Sequence, residues 1–250
     1  MGGAAVTSAM GVPIVEVQPL FADVYAGDLN GHARWDKLAA CGVPWCGGII
    51  KAGEGVHGGG EWFNANWQAI RAEGRDRYGN DWWRGAYFYG RFTHSAVDQA
   101  ELFHLVIERA GGWGIGDLWP IIDVESANNT GCTRTQVEDW VETYVAESKR
   151  LHGREVILYG GSLLYDLGIT SRMGCKALWI ARYAPTLPAK TYERIGWDLD
   201  SLFGWQYCGD GESYLEGYPV SSVMGRHDIT ALTWPGGLQR LRETQWAEMP

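Results

Sequence analysis

Apolar residues along this 250-residue chain fall in short runs that alternate with stretches of helical periodicity. The runs "LFADVYA" (20–26), "CGGIIKAG" (46–53), "RGAYFYGRF" (84–92), "LWPIIDVE" (118–125) and "EVILYGG" (155–161) predict five strands. Between them, "ARWDKLAACG" (33–42), "FNANWQAIRAEG" (63–74), "SAVDQAELFHLVIERAGG" (95–112) and "TRTQVEDWVETYVAESKRLHG" (133–153) predict helices. In the last of these, Val137, Trp140, Val141, Tyr144 and Val145 recur at the spacing of one helix face. Ser95 is placed to cap the third helix, and Gly111 and Gly112 to stop it. A short helix near "SLLYDLG" follows the fifth strand. The pattern then changes: "KALWIARY" (176–183), "LFGWQYCG" (202–209) and "RHDITAL" (226–232) predict three more strands with no full helix between them.

Alternation of apolar strands with helices argues for an α/β fold, a parallel sheet covered by helices. Five such units and three closing strands suit a barrel of eight strands, although an open doubly wound sheet fits the early alternation nearly as well. No G-x-G-x-x-G follows the first strand and no G-x-x-x-x-G-K-[ST] occurs, which disfavours dinucleotide and nucleoside-triphosphate binding. No repeat or linker divides the chain. The expected organisation is one barrel over 19–235, an N-terminal extension over 1–18 and a short tail over 236–250 that packs as a helix.

Charge narrows the partners. The net charge of −9 argues against nucleic acid, whose phosphates need a Lys/Arg surface, and gives no attraction to anionic membranes. No apolar run approaches the roughly 18–20 residues of a membrane span. The first residues lack the basic start and compact apolar core of a secretory signal, so synthesis in the cytoplasm without a signal peptide is expected. Five cysteines, an odd number without a C-x-x-C pair, predict buried or incidental thiols rather than a zinc site or disulfide framework. The six histidines show no ligand spacing, and no metal or cofactor is expected. Fourteen Trp, beside twelve Tyr, are more Trp than a core of this size needs. Sugar rings pack their C–H faces on such side chains, so a carbohydrate cleft is one outlet for the excess.

The candidate chemistry lies in "LWPIIDVES" (118–126). In a strand, Asp123 and Glu125 share a face and Val124 points to the other. Their backbones lie about 6–7 Å apart, at the C-terminal strand end where parallel barrels carry active sites. Neighbouring carboxylates have split pKa values, because one charge disfavours the second. Cleavage of a glycosidic bond needs that arrangement: one protonated acid, and one charged group against an oxocarbenium-like transition state. For a lone D-x-E, a solvated strand end whose acids cap the next loop is the commoner case. Asp23 near the end of the first strand and Asp228 in the last shift the balance, since those strands are neighbours in a closed barrel. Burying four acids for structure alone is expensive.

The segments "ADVYAGDLN", "WDKL", "GIIKAGEG", "RGAYFYGRF", "PIIDVES", "ALWIARY", "GWQY" and "HDITAL", in this order over roughly 20–233, resemble the glycoside hydrolase family 25 lysozymes, or N-acetylmuramidases. The resemblance implies an irregular TIM-like (β/α)5(β)3 barrel and hydrolysis, without metal, of the β-1,4 bond between N-acetylmuramic acid and N-acetylglucosamine in peptidoglycan glycan strands. The family's catalytic D-x-E falls on Asp123 and Glu125, its first-strand acid on Asp23 and its late acid on Asp228. Glu125 is then the acid/base. Asp123 is its charged partner, steadying the oxocarbenium ion or orienting the substrate's N-acetyl group, with net retention. Asp23 and Asp228 hold the network. A monomer is expected, reaching the wall by phage-type lysis or by non-standard export. The sequence departs from the family in "VYAGDLN" after Asp23, in Tyr87-Phe88-Tyr89 where Tyr-His-Phe is common, and in "KAGEG" for "KATEG".

Aromatic pairs on shared strand faces are candidate sugar platforms: Tyr87 with Tyr89, Trp179 with Tyr183, and Trp205 with Tyr207. Tyr183, Trp205 and Tyr207, nearest their strand ends, rank first. Glu54 is either a cleft acid or a turn residue, glycines 58–60 read as a turn, and His227 as an exterior strand residue. Two other functions compete. A chitinase-like N-acetylhexosaminidase also uses D-x-E, but the longer D-x-x-D-x-D-x-E is absent. A catalytically inactive carbohydrate-binding barrel has no need of four acids.

Overall fold

The computed structural model describes residues 19–26, 33–40, 44–76, 78–184, 187–209, 228–233, 235 and 237–246. The expected N-terminal extension, His227 and the predicted helix end at Gly42 lie outside them. In chain order the elements are β1 (Leu20–Val24), α1 (Trp35–Ala40), β2 (Trp45–Glu54), β3 (His57–Gly58), α2 (Gly60–Glu73) and β4 (Trp83–Tyr89). Then come α3 (Ala96–Arg109), β5 (Ile121–Val124), α4 (Arg134–His152), β6 (Ile157–Gly160), α5 (Ser162–Asp166) and β7 (Ala177–Ala181). The chain continues with α6 (Ala189–Glu193), a 3-10 turn (Leu199–Ser201), β8 (Leu202–Cys208), β9 (Asp228–Leu232) and α7 (Gly237–Trp246).

Pairing of β1 with both β2 and β9 closes the sheet into a barrel and excludes the open alternative. β1, β2 and β4 to β8 run parallel around it. β9 is antiparallel to both of its neighbours. That reversal matters for the site: β9 starts at the same mouth where the parallel strands end.

Strand alternation builds two apolar layers. Val24, Ile50, Phe88, Val124, Leu158 and Ile180 point outward and pack under the helices with Phe103, Tyr144 and Trp67. Phe21, Ile49, Ile121, Ile157, Trp179 and Phe203 fill the barrel interior. The core absorbs the Trp excess: ten of the fourteen Trp are among the buried residues, so their number does not measure a sugar cleft. The helix ends follow local chemistry. Ser95 accepts from the Asp98 N–H, and Gly111 and Gly112 take the positive φ that ends the α3 region. Thr133 and Gln136 form a reciprocal capping box on α4, and Gly153 closes it in the left-handed conformation.

Two regions differ from expectation. Glycines 58–60 are not a simple turn: Gly58 pairs with β2 in a short hairpin, and Gly60 opens α2. β5 is four residues long, because pairing with both neighbours begins only at Ile121. Glu125 is therefore the first residue beyond the strand. The four cysteines among the described residues are free.

Candidate active site

A cavity of about 180 Å³ opens at the C-terminal mouth of the barrel. Asp23, Asp123, Glu125 and Asp228 all line it. The topology brings them there. Asp23 and Asp228 are direct partners in the β1–β9 ladder. Asp123 sits in register between Tyr89 on β4 and Tyr159 on β6. Glu125 leaves the strand one residue later, on the same side.

One amide organises the wall. Gln206, buried on β8, donates from Nε2 to Oδ2 of Asp23 at 2.9 Å and to Oδ2 of Asp228 at 3.0 Å. Its Oε1 accepts from the Tyr159 hydroxyl at 2.6 Å and the Tyr183 hydroxyl at 3.1 Å. Carboxylates only accept, so the two aspartates fix which end of the amide faces them, and the tyrosines must then donate. Tyr159 also approaches Glu125. Its single proton cannot serve both groups. The short bond to Gln206 competes for it with Glu125.

Asp123 lacks a compensating partner of this kind on Oδ1. Asp123 is 4% exposed and its buried Oδ1 has no hydrogen-bond partner. Burial raises its pKa well above the ordinary carboxylate value, Glu125 adds to the rise, and Lys51 opposes it. Burial also raises Glu125, against the pull of Lys51 and Tyr159. The two titrate as a pair, and a proton held there belongs to the pair before it belongs to either residue.

Lys51 is the cation among the described residues that line the cleft. Its Nζ lies 2.6 Å from Glu54 and 4.9 Å from the centre of the Tyr89 ring. Glu54 does not line the cavity. Burial pushes its pKa up, but Lys51 and Arg91, both ion-paired to it, bring it below the usual carboxylate range. It is a structural acid at the end of β2. The Tyr89 hydroxyl donates to the Ala127 carbonyl and so ties β4 to the loop after β5. No trio of His, Cys, Asp or Glu among the described residues is arranged to hold a metal.

Of the aromatic candidates, Tyr87, Tyr89 and Tyr183 line the cavity, and so does Trp179. Trp205 and Tyr207 do not. Both are buried in the outer layer beneath the helices, with the Trp205 indole donating to the Arg182 carbonyl at 2.7 Å. Alternation decides this: on "WQY" the middle residue faces inward, and that residue is Gln206. Sequence reasoning passed over Gln206, Lys51 and Tyr159. A signal was present in each case. Gln206 and Lys51 are single polar residues inside otherwise apolar strands, and Tyr159 aligns with Asp123 one strand away.

The model of the Glycosyl hydrolases family 25 matches residues 22–214. Lysozyme M1 of Streptomyces globisporus is 27% identical over 195 residues, covering 73% of this chain and 60% of that protein. The uncharacterized protein YegX of Escherichia coli K12 is 25% identical over 183 residues, covering 71% and 59%. The chain thus spans about three fifths of the length of these curated relatives. Among solved structures, the bacterial lysozyme from Streptomyces coelicolor superposes with a TM-score of 0.66 at 23% identity, over 92% of this chain and 97% of that one. The family 25 glycosyl hydrolase from Bacillus anthracis gives 0.65 at 21%, over 92% and 93%. With its closed barrel and a family match over most of its length, the chain belongs to glycosyl hydrolase family 25.

Proposed function

We propose that this chain is a muramidase, cleaving the β-1,4 bond between N-acetylmuramic acid and N-acetylglucosamine in peptidoglycan. The observation that carries the reading is the Asp123–Glu125 pair: two carboxyl groups at the barrel mouth, both shifted toward the protonated form, with no cation neutralising them fully. A glycosidase needs a proton held above the ordinary carboxylate range beside a site where positive charge develops.

Glu125 gives that proton to the leaving oxygen and then takes one from water. Burial favours the protonated carboxyl there, against the pull of Lys51 and Tyr159. Asp123 is the deeper group. In the empty cleft it competes for the shared proton. An N-acetyl N–H of the bound sugar, donated to the unpartnered Oδ1, favours charged Asp123 and leaves the proton with Glu125. Charged Asp123 then orients the N-acetyl group or steadies the oxocarbenium ion, with net retention. Asp23 and Asp228 act through Gln206, holding Tyr159 and Tyr183 in place. Tyr87 and Tyr183 supply the faces against which sugar rings stack.

The test is product analysis. Isolated peptidoglycan is digested with wild type and with Glu125→Gln, and the released fragments are reduced and weighed by mass spectrometry. Fragments ending in reduced muramic acid are expected from wild type, with a loss of about 10²–10⁴-fold in the variant, the range of general acid catalysis. Fragments ending in reduced N-acetylglucosamine would refute the bond assignment. Binding without turnover on every wall type would favour a barrel that only binds sugar.

A further inference from the structure

We propose that an open pocket beside the barrel mouth, lined by Arg182, Lys190 and Arg194, binds the carboxylates of the stem peptide carried by muramic acid; this rests on the muramidase reading above. The pocket holds about 700 Å³ between α5 and α6. Tyr165 and Thr191 also line it, and Glu193 is the one acid among the described residues that do so.

Its charge is the first argument. The chain has 30 acidic residues against 21 Lys and Arg, yet among the described residues three cations face this one concavity with a single acid. Elsewhere, Lys51, Arg71, Arg84, Arg91 and Arg172 each meet a carboxylate within 4.0 Å. Among the described residues, Arg182, Lys190 and Arg194 form no such pair. Burial pushes the Tyr165 pKa up to about 12, and the charges of Arg182 and Arg194, which line the same pocket, both oppose that rise. The Tyr165 hydroxyl donates its proton to the Thr191 carbonyl at 2.7 Å. What remains is a local field of positive sign, open to solvent, on an acidic protein.

Position is the second argument. Arg182 directly precedes Tyr183, whose hydroxyl reaches Gln206 in the cleft wall. The Arg182 main chain is clamped to β8 on both sides: its N–H donates to the Gln206 carbonyl at 3.0 Å, and its carbonyl accepts from the Trp205 indole. Arg182 is therefore held next to the cleft-lining Tyr183, with roughly 3.8 Å between their Cα atoms. A stem peptide of about three to five residues extends roughly 10–17 Å from the muramic acid that bears it. Its free carboxylates fall within reach of the three cations while the sugar occupies the cleft. Guanidinium groups suit such carboxylates, which they bind in a planar fork.

The test compares KM on peptide-bearing glycan strands with KM on strands stripped of peptide by an amidase, for wild type and for Lys190→Gln/Arg194→Gln. Wild type is expected to show a KM roughly three- to tenfold lower on peptide-bearing strands, the scale of one or two exposed ion pairs. The double variant is expected to lose that preference while keeping its kcat and KM on stripped strands. A third substrate, peptide-bearing wall freed of phosphate polymers by acid, should retain the preference. Equal KM values for wild type on the two strands would overturn the proposal, as would a preference that vanishes with the phosphate polymers. A variant impaired equally on both substrates would also overturn it. If wild type cleaves neither strand, the muramidase reading itself fails.

Discussion

Asp117 and Asp123 are both buried carboxylates, one just ahead of β5 and the other near its end. Asp117 accepts from Arg84 Nε at 2.8 Å and Nη2 at 2.7 Å, from Arg71 Nη2 at 2.7 Å and from the Gly114 N–H at 2.7 Å. Arg84 in turn lies 3.6 Å from the centre of the Trp67 ring and donates to the Trp67 carbonyl. Every lone pair that burial strips of water is repaid by a donor. Asp123 has the same chemistry and nearly the same burial, but its Oδ1 has no donor and its nearest ionisable partner is another acid. The N-terminal end of the barrel spends its charges on holding β4, β5 and α2 together. The C-terminal end leaves its charges unresolved, where a substrate can complete them. A buried acid is thus informative only once its partners are counted.

The largest expected effect breaks the paired end. Asp117→Ala strands the buried Arg84 guanidinium and is expected to cost about 3–5 kcal/mol. For a chain of this size that lowers Tm by about 10 °C, read by thermal unfolding, while the molecules that remain folded keep their activity. A normal Tm would mean that the ion-paired cluster does not hold the barrel.

The unpaired end should respond in the opposite sense. The folded pKa values of Asp123 and Glu125 lie above those of the unfolded chain. Between the two sets of values the folded state binds more protons, so stability falls as pH rises from about 4 through the raised folded values. Asp123→Asn/Glu125→Gln is expected to flatten that fall, and above it to be as stable as wild type or more so. A double variant less stable than wild type at neutral pH would show that the pair contributes to the fold as charged groups.

The smallest effect sharpens the role of Gln206. Glu125 faces Asp123, Lys51 and the hydroxyls of Tyr89, Tyr159 and Tyr183. Gln206→Leu frees the Tyr159 proton to donate to Glu125, so the alkaline limb of kcat is expected to move to lower pH by up to about one unit. Adding Tyr159→Phe to Gln206→Leu removes that donor and should move the limb back. Structural damage at Gln206 would not be repaired by a second substitution. A limb that stays put in Gln206→Leu would place the Tyr159 proton on Glu125 already.

Much of this was legible in the chain. Alternation and caps located the elements, and the acids at positions 23, 123, 125 and 228 were marked by their place at strand ends. The misplaced residues, Trp205 and Tyr207, were chosen for their chemistry when their facing should have decided. One strand cannot put both Trp205 and Gln206 in the cleft, and the apolar layer under the helices claims the aromatic pair. Lys51, Tyr159 and Gln206 were missed because their roles exist only across strands, in the register between neighbours of the sheet. The pairing of Asp117 with Arg84, 33 residues apart, is equally invisible along the chain.

The most direct measurement is an infrared difference titration of wild type against Asp123→Asn/Glu125→Gln. The carboxylic acid C=O band contributed by the pair is predicted to persist above the pH of about 4 where free carboxyl groups have titrated, and to integrate to one proton there. Loss of the whole band near pH 4 would mean that both groups ionise like solvated acids, and the account of a proton held at the barrel mouth would be wrong.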